Sequence, residues 1–442
     1  MDWPATLDEY EKLVTLMNTP RVVIDNTVCP TATVVKVDSV RKDGILLEAV
    51  QVLTDLDLSI TKAYISSDGR WFMDVFHVTD RYGQKITDER IISYMESSLA
   101  AVGDEAAAGL PDPKTFTTIE LVGSDRPGLL SDVFAVLTDL GCSVMEAKLW
   151  THKGRIAALL FIREEDSAKP IDDPDKLRRI EALLCNVVRG ATTALSSSSI
   201  AVASGTHADR RLHQMMHADH AYERALPAGE PSISIQNWNQ RGYSIVSVHC
   251  YDRPKLLFDV VCTLTDMEYI VFHGTIDTTD DRAYQEFYIR HSDGSPITSE
   301  TERQRVIQCL QAAIERRSSE GLRLELCEAD PIILTVATRS FRENGLSVTR
   351  AEMSTNGETA VNCFYVTDAG GHPAKRNSIE AVIERIGASS LKAFEGRPLR
   401  RPGSGQGGPE ETGGVLMSLG SLVKRNLYNL GLIRTCSVKN AI

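Results

Sequence analysis

Three twelve-residue stretches of this chain lie over one another without a gap: ILLEAVQVLTDL from Ile45, LLSDVFAVLTDL from Leu129 and LLFDVVCTLTDM from Leu256. Repetition at this level means that one small unit is used several times, each copy completing part of a common architecture. In every copy the apolar residues fall at helical spacing, as Ile45, Leu46, Ala49, Leu53 and Leu56, then Leu129, Leu130, Val133, Leu137 and Leu140, then Leu256, Leu257, Val260, Leu264 and Met267. The spacing predicts an amphipathic helix with one buried face.

An alternating stretch precedes each helix (TVVKVDS, FTTIELV and YSIVSVH), and two more strands follow it, joined at SSDG, THKG and TTDD, which carry hairpin chemistry. A second helix comes next, as in ITDERIISYMESSL and PDKLRRIEALLCNVV. The order strand, helix, strand, strand, helix predicts an α+β fold of tandem ferredoxin-like βαββαβ units, with helices on one face of an antiparallel sheet. A fourth copy starts at Leu322, with LRLELCE as its first strand, LSVTRAEMST and ETAVNCFYVTD as a strand pair and SIEAVIERIG as its last helix.

The lead-ins PRVVIDN from Pro20 and PSISIQN from Pro231 precede only the first and third copies, and both they and the helix starts Ile45 and Leu256 are separated by the same 211 residues. The chain therefore reads as two duplicated pairs of modules, in which each lead-in strand is expected to complete the sheet of its pair. The implied organisation is an extension over 1–19, module 1 with its lead-in over 20–110, module 2 over 114–205, a linker helix over 206–230, module 3 with its lead-in over 231–319, module 4 over 320–395, a disordered linker over 396–414 and an apolar and basic segment over 415–442. The Gly- and Pro-rich stretch before Val415 makes that last segment dispensable for folding of the modules, and folding back onto a module is its preferred reading over a membrane or partner contact.

The residues PRVVIDN, SSDGRWFMDVFHVTD, DRPGLLSDVFAVL, DRPKLLFDVVCTLTDMEYIVFHGTI, FRENGLSVTRAE and YNLGLIR resemble the ACT domain repeat proteins of plants, which carry four ACT modules and little else. The lead-in followed by a DRPG helix is also similar to the sensory ACT pair of a bacterial uridylyltransferase that reports glutamine status. The resemblance implies amino-acid binding and regulation rather than catalysis, with glutamine the first candidate, and it places ligands at the loop before the first helix, where two modules meet.

In module 2 that loop is Asp125, Arg126, Pro127 and Gly128. A glycine lets a ligand approach the backbone, and helix-start N–H groups favour a carboxylate, so Gly128, Leu129 and Leu130 are read as the acid-binding end and Asp125 as the ammonium partner. The plainer reading is a helix entry in which Asp125 caps, Pro127 fixes the turn and Gly128 relieves strain. On the ligand reading, Gly128→Val impairs binding more than stability. Module 1 keeps Gly44 and Ile45 but has Arg41 where Asp125 stands. Module 3 keeps Asp252, Arg253 and Pro254 but has Lys255 in the glycine place, and module 4 has Ile332 there, with Asp330 one residue out of register. These departures place binding in the first half, roughly 20–205, with Lys255 as the weak point, because its ammonium could itself pair with a ligand carboxylate.

In the linker, His213 and His217 share a helical face with His220 nearby, but packing of Leu212, Met215 and Met216 against a module is favoured over metal binding, and no cofactor is expected. There is no G-x-S-x-G, H-E-x-x-H or Walker-type loop, so a non-catalytic protein is expected. A net charge of −12 argues against wholesale nucleic-acid binding. No run approaches a membrane span, and the nine scattered Cys read as reduced thiols in the cytoplasm or nucleus. The ligand signal would pass to a protein partner or a second copy of the chain. The alternative is a scaffold whose modules have lost ligand binding and kept their packing surfaces.

Overall fold

The computed structural model describes residues 21–40, 44–67, 71–100, 116–189, 199–203, 207–218, 231–317, 321–327, 331–356 and 359–394. Module 1 contains β1 (Arg21–Asp25), β2 (Thr33–Val40), α1 (Ile45–Asp55), β3 (Ser59–Ser67), β4 (Trp71–Thr79) and α2 (Glu89–Ala100). Module 2 contains β5 (Thr117–Ser124), α3 (Leu129–Asp139), β6 (Cys142–His152), β7 (Arg155–Glu164), α4 (Pro174–Arg189) and β8 (Ser199–Ala203). After the linker helix α5 (Ala208–Ala218), module 3 contains β9 (Ser232–Trp238), β10 (Tyr243–Tyr251), α6 (Leu256–Asp266), β11 (Tyr269–Thr279), β12 (Arg282–His291) and α7 (Glu300–Arg317). Module 4 contains β13 (Leu322–Leu326), α8 (Pro331–Glu343), β14 (Leu346–Asn356), β15 (Thr359–Asp368), α9 (Arg376–Ile386) and β16 (Leu391–Phe394). The segments 396–414 and 415–442, with Arg41, Asp330 and His220, lie outside the described residues.

The α+β fold and its repeat are as the sequence predicts, but the modules that share a sheet are not neighbours in the chain. Module 1 is continuous with module 3 in the order β1-β2-β4-β3-β11-β12-β10-β9, and module 4 with module 2 in the order β16-β13-β15-β14-β6-β7-β5-β8. Each joint pairs two equivalent edge strands antiparallel, β3 with β11 and β14 with β6, so the contact is nearly self-complementary. Lys62 and Asp277 meet at 3.2 Å across the first joint. The lead-in strands therefore complete their own modules and form the two outer edges of one sheet, β1 against β2 and β9 against β10. Modules 2 and 4 fill the same place with strands that follow their last helices, β8 and β16.

Local rules explain much of this. Every first helix ends in a residue of left-handed backbone thirteen positions after the loop site, namely Asp57, Gly141, Glu268 and Gly345, which turns the chain into the next strand. At the THKG hairpin, Lys153 and Gly154 both have positive φ, as a two-residue turn matching strand twist requires.

Tertiary packing changes the burial. The sheet of modules 1 and 3 carries α1, α2, α6 and α7 on one face, and Met73 and Tyr284 on its other face are exposed. The sheet of modules 2 and 4 is covered on both faces, by α3, α4, α8 and α9 on one side and by α5 on the other, where Leu212, Met215 and Met216 pack on Trp150, Leu159 and Phe161. This double burial accounts for the unbroken apolar run IAALLFI in β7. Because α5 also packs on α6, and α7 on β6, residues Leu256 to Leu264 of α6 are buried all round instead of on one face. Cys142 and Cys262 are buried and Cys363 is partly buried, and among the described residues no disulfide forms. No described helix is long and apolar enough to cross a membrane.

Candidate functional site

Gly44, Gly128 and Lys255 each stand in left-handed backbone at the start of a first helix, and none of these helices has a side-chain cap. Their first-turn N–H groups have no acceptor within the helix and face the module that shares the sheet. In module 4 the helix begins one residue before Ile332, so the equivalent position is helical.

The arginine of the DRP loop has an internal role in both modules that carry it. Arg126 donates to Asp132 at 2.7 Å and to the Val187 carbonyl at 3.3 Å, while Arg253 pairs with Asp259 at 2.8 Å and donates to the Ile314 carbonyl at 2.8 Å. Each guanidinium thereby clamps the first helix of its module to the end of the second. Burial pushes the carboxyls of Asp125 (up to about 6) and Asp252 above the ordinary aspartate value, opposed in each case by the adjacent arginine amide.

The loops differ in what faces them. Over Gly128 lies Arg342 at the end of α8, held by Asp132 at 2.6 Å, and a Cβ added at Gly128 would come within 2.4 Å of Arg342 Cδ. Leu129 and Leu130 are buried, as Leu256 and Leu257 are in module 3, and the Leu129 and Leu256 N–H groups donate to the Arg126 and Arg253 carbonyls. At the other end of the α3–α8 contact, Phe134, Thr138, Leu334 and Thr335 bound a gap of about 10 Å³, room for at most about one water. This closure changes the outcome expected for Gly128→Val: φ is +82° and Arg342 is pinned, so the variant should lose about 1–2 kcal/mol of stability. Urea denaturation of the variant beside wild type measures that loss.

The sheet of modules 1 and 3 is open at both loops. Gly44, Ile45 and Leu46 face Thr265, Glu268 and Tyr269 of module 3 around a cavity of about 290 Å³. Asp252, Arg253 and Lys255 face Thr54, Ser59 and Arg81 of module 1 around a cavity of about 400 Å³, floored by Thr278 and Gln285. The Lys255 side chain, which stands in the glycine place, reaches to Asp209 on α5, Nζ to Oδ2 3.0 Å. Both cavities draw walls from both halves of the chain, whereas the sequence reading places binding in 20–205.

Beneath the module 3 loop lies a buried charge cluster. Asp209 accepts from Lys148 at 2.9 Å, Lys255 at 3.0 Å and Arg317 at 3.3 Å, and Asp259 pairs with Arg317, Arg253 and His213. The Arg317 guanidinium sits 4.4 Å from the Trp150 ring centre. Burial alone would raise the Asp259 carboxyl, but Arg317, Arg253 and His213 together hold it well below the usual range. His207 bonds Asp55 at 2.8 Å and His217 lies 3.8 Å from Cys309, so these histidines dock the linker helix. Among the described residues no group of three His, Cys, Asp or Glu side chains is placed to hold a metal.

Sequence reasoning missed Arg342, Arg81, Gln285 and the charge cluster. One signal was present. Overlaying the repeats aligns Asp74, Ala158, Gln285 and Asn362 on the core face of the third core strand, where an inward polar residue interrupts an apolar alternation in three of four copies.

Comparison with known proteins agrees with this architecture. Residues 28–105 match the ACR family N-terminal ACT domain, residues 117–181 the ACT domain and residues 232–330 the ACR9-like, ACT-like domain. From Arabidopsis thaliana, the ACT domain-containing protein ACR8 is 55% identical, with 98% of this chain and 99% of that protein covered. ACR4 is 49% identical, covering 97% and 98%, and ACR5 is 47% identical, covering 97% of each. Four modules of one connectivity, matched over nearly the whole length at such identity, mean that the chain belongs to the ACR family of ACT domain-containing proteins.

Proposed function

We propose that this chain is a non-catalytic regulatory protein that binds a small amino acid where module 1 meets module 3 and passes occupancy to a protein partner or a second copy. The observation that carries the reading is the cavity of about 400 Å³ under the Asp252 loop. It is large enough for an amino acid and offers complementary groups, with Asp252 for the ammonium and the first turn of α6 together with Arg81 for the carboxylate. Glutamine is the first candidate, by likeness to the uridylyltransferase sensory pair. The module 2 loop, covered by Arg342, fits the scaffold role, so on this reading sensing and scaffolding divide between the two sheets. Residence in the cytoplasm or nucleus belongs to the same proposal and is supported by the cysteines of the described residues, none of which is bridged.

Regulation follows if the ligand distinguishes two states, since an equilibrium shifts only by the difference in binding. Lys255 joins the cavity wall to Asp209 on α5, which also holds Lys148 of the other sheet, so a ligand that moves this loop changes how the sheets dock. The expected result is that at least one of the twenty amino acids raises the melting temperature of the full chain, by an amount equivalent to about 2.7 kcal/mol at a hundredfold excess over Kd. Asp252→Ala should abolish the rise. A flat response across all twenty would overturn the proposal.

A further inference from the structure

We propose that Gln285 sets the ligand class of the cavity under the Asp252 loop, and that this class is amino acids whose side chain ends in a neutral hydrogen-bond donor, a carboxamide or a hydroxyl. The inference rests on the amino-acid reading above and deepens it.

Gln285 sits on β12 opposite Val248 and Ile276, on the face that meets the helices, and is only 3% exposed. Its Oε1 has no hydrogen-bond partner. Thr278, two residues beyond Ile276 on the same face of β11, has an Oγ1 in the same condition, and both residues line the cavity. A buried polar atom without a partner is costly, so two such atoms in residues that line one cavity mark a place where the missing partner can arrive with a bound molecule.

The equivalent positions sharpen the assignment. In module 2 it is Ala158, beside a loop that Arg342 closes. In module 4 the Asn362 amide donates to the Leu326 carbonyl at 3.4 Å. In module 1 Asp74 lacks a partner but does not line the cavity beside Gly44. Among these four, Gln285 alone combines an unpaired polar atom with an open cavity.

The ligand's orientation follows from charge. Its ammonium belongs at Asp252 and its carboxylate at the first turn of α6, which leaves the side chain directed at the floor. There an acidic tip would face the Gln285 oxygen with no cation on the floor, and only the Thr278 hydroxyl could donate to it. A lysine tip would bury an ammonium with no counter-charge on the floor, in a cavity whose wall already carries Arg81. An apolar tip would leave both oxygens unpaired, whereas a carboxamide or hydroxyl supplies the donor.

The test is calorimetry on the full chain with near-isosteric pairs: asparagine against leucine, glutamine against methionine, threonine against valine. At least one polar member should bind tenfold or more tightly than its apolar counterpart. Gln285→Met should cut that preference to about threefold or less while leaving the melting temperature of the unliganded chain unchanged or raised, because it removes an unpaired amide. Thr278→Val, a smaller change, should shift the preference the same way if Gln285→Met does not fold. Tighter binding of the apolar members, or a preference undiminished in both variants, would overturn the assignment and leave the amino-acid reading standing. Failure of every amino acid to bind wild type would overturn both.

Discussion

Replacing Asp259 with asparagine lowers the unfolding free energy by about 3–5 kcal/mol, the largest single effect expected in this chain. Asp259 is fully buried and neutralises Arg253 and Arg317 while bonding His213, so its removal leaves two guanidinium groups short of a counter-charge in a dry site. The cost is that of buried charge without a partner, which exceeds what the intact pairs contribute when formed. The pH dependence has a definite sign. The folded carboxyl titrates well below its unfolded value, so its stabilisation is complete above the unfolded pKa of about 4 and is lost as pH falls toward the folded one. The deficit of Asp259→Asn should therefore be greatest near neutral pH and shrink in acid. Urea denaturation of both chains at several pH values measures it, and a deficit under about 1 kcal/mol at pH 7 would mean that the cluster is solvated rather than buried.

The second large effect has the opposite direction. Asp74→Asn should raise stability near neutral pH by about 1–3 kcal/mol. Asp74 lies on the helix-facing side of β4 between Val37 and Ile65, is fully buried, and neither carboxylate oxygen has a hydrogen-bond partner. Burial pushes its carboxyl well above the ordinary aspartate range, and the nearby Ser66 amide offsets this only in part. A raised folded pKa means that the group is harmless below the unfolded value and costs progressively more stability as pH rises from there toward the folded one. The gain from Asp74→Asn should thus vanish near pH 3 and grow toward neutrality. Melting temperatures across that interval test it, and a variant less stable than wild type at pH 7 would show that Asp74 has an ionised role in the native state.

The module is legible in the primary structure alone. Helical and alternating periodicities recur in register, so each first helix, its flanking strands and the residue that ends it are dictated locally, as the shared left-handed positions Asp57, Gly141, Glu268 and Gly345 illustrate. The primary structure also singles out the loop before the first helix, since glycine at positions 44 and 128 carries a backbone requirement that can be read from composition alone. Tertiary structure decided which modules pair. Edge strands of equivalent sequence can join any partner of matching edge, and nothing local distinguishes β3 with β11 from β3 with β6. Tertiary structure likewise decided which loop is open. Lys255, an obstruction by residue type, is drawn aside by Asp209 from a helix 46 residues away in sequence, while the permissive Gly128 is covered by Arg342, 210 residues from the Asp132 that holds it. Periodicity reports what a residue does for its own helix or strand; whether a site is vacant depends on side chains arriving from elsewhere in the chain.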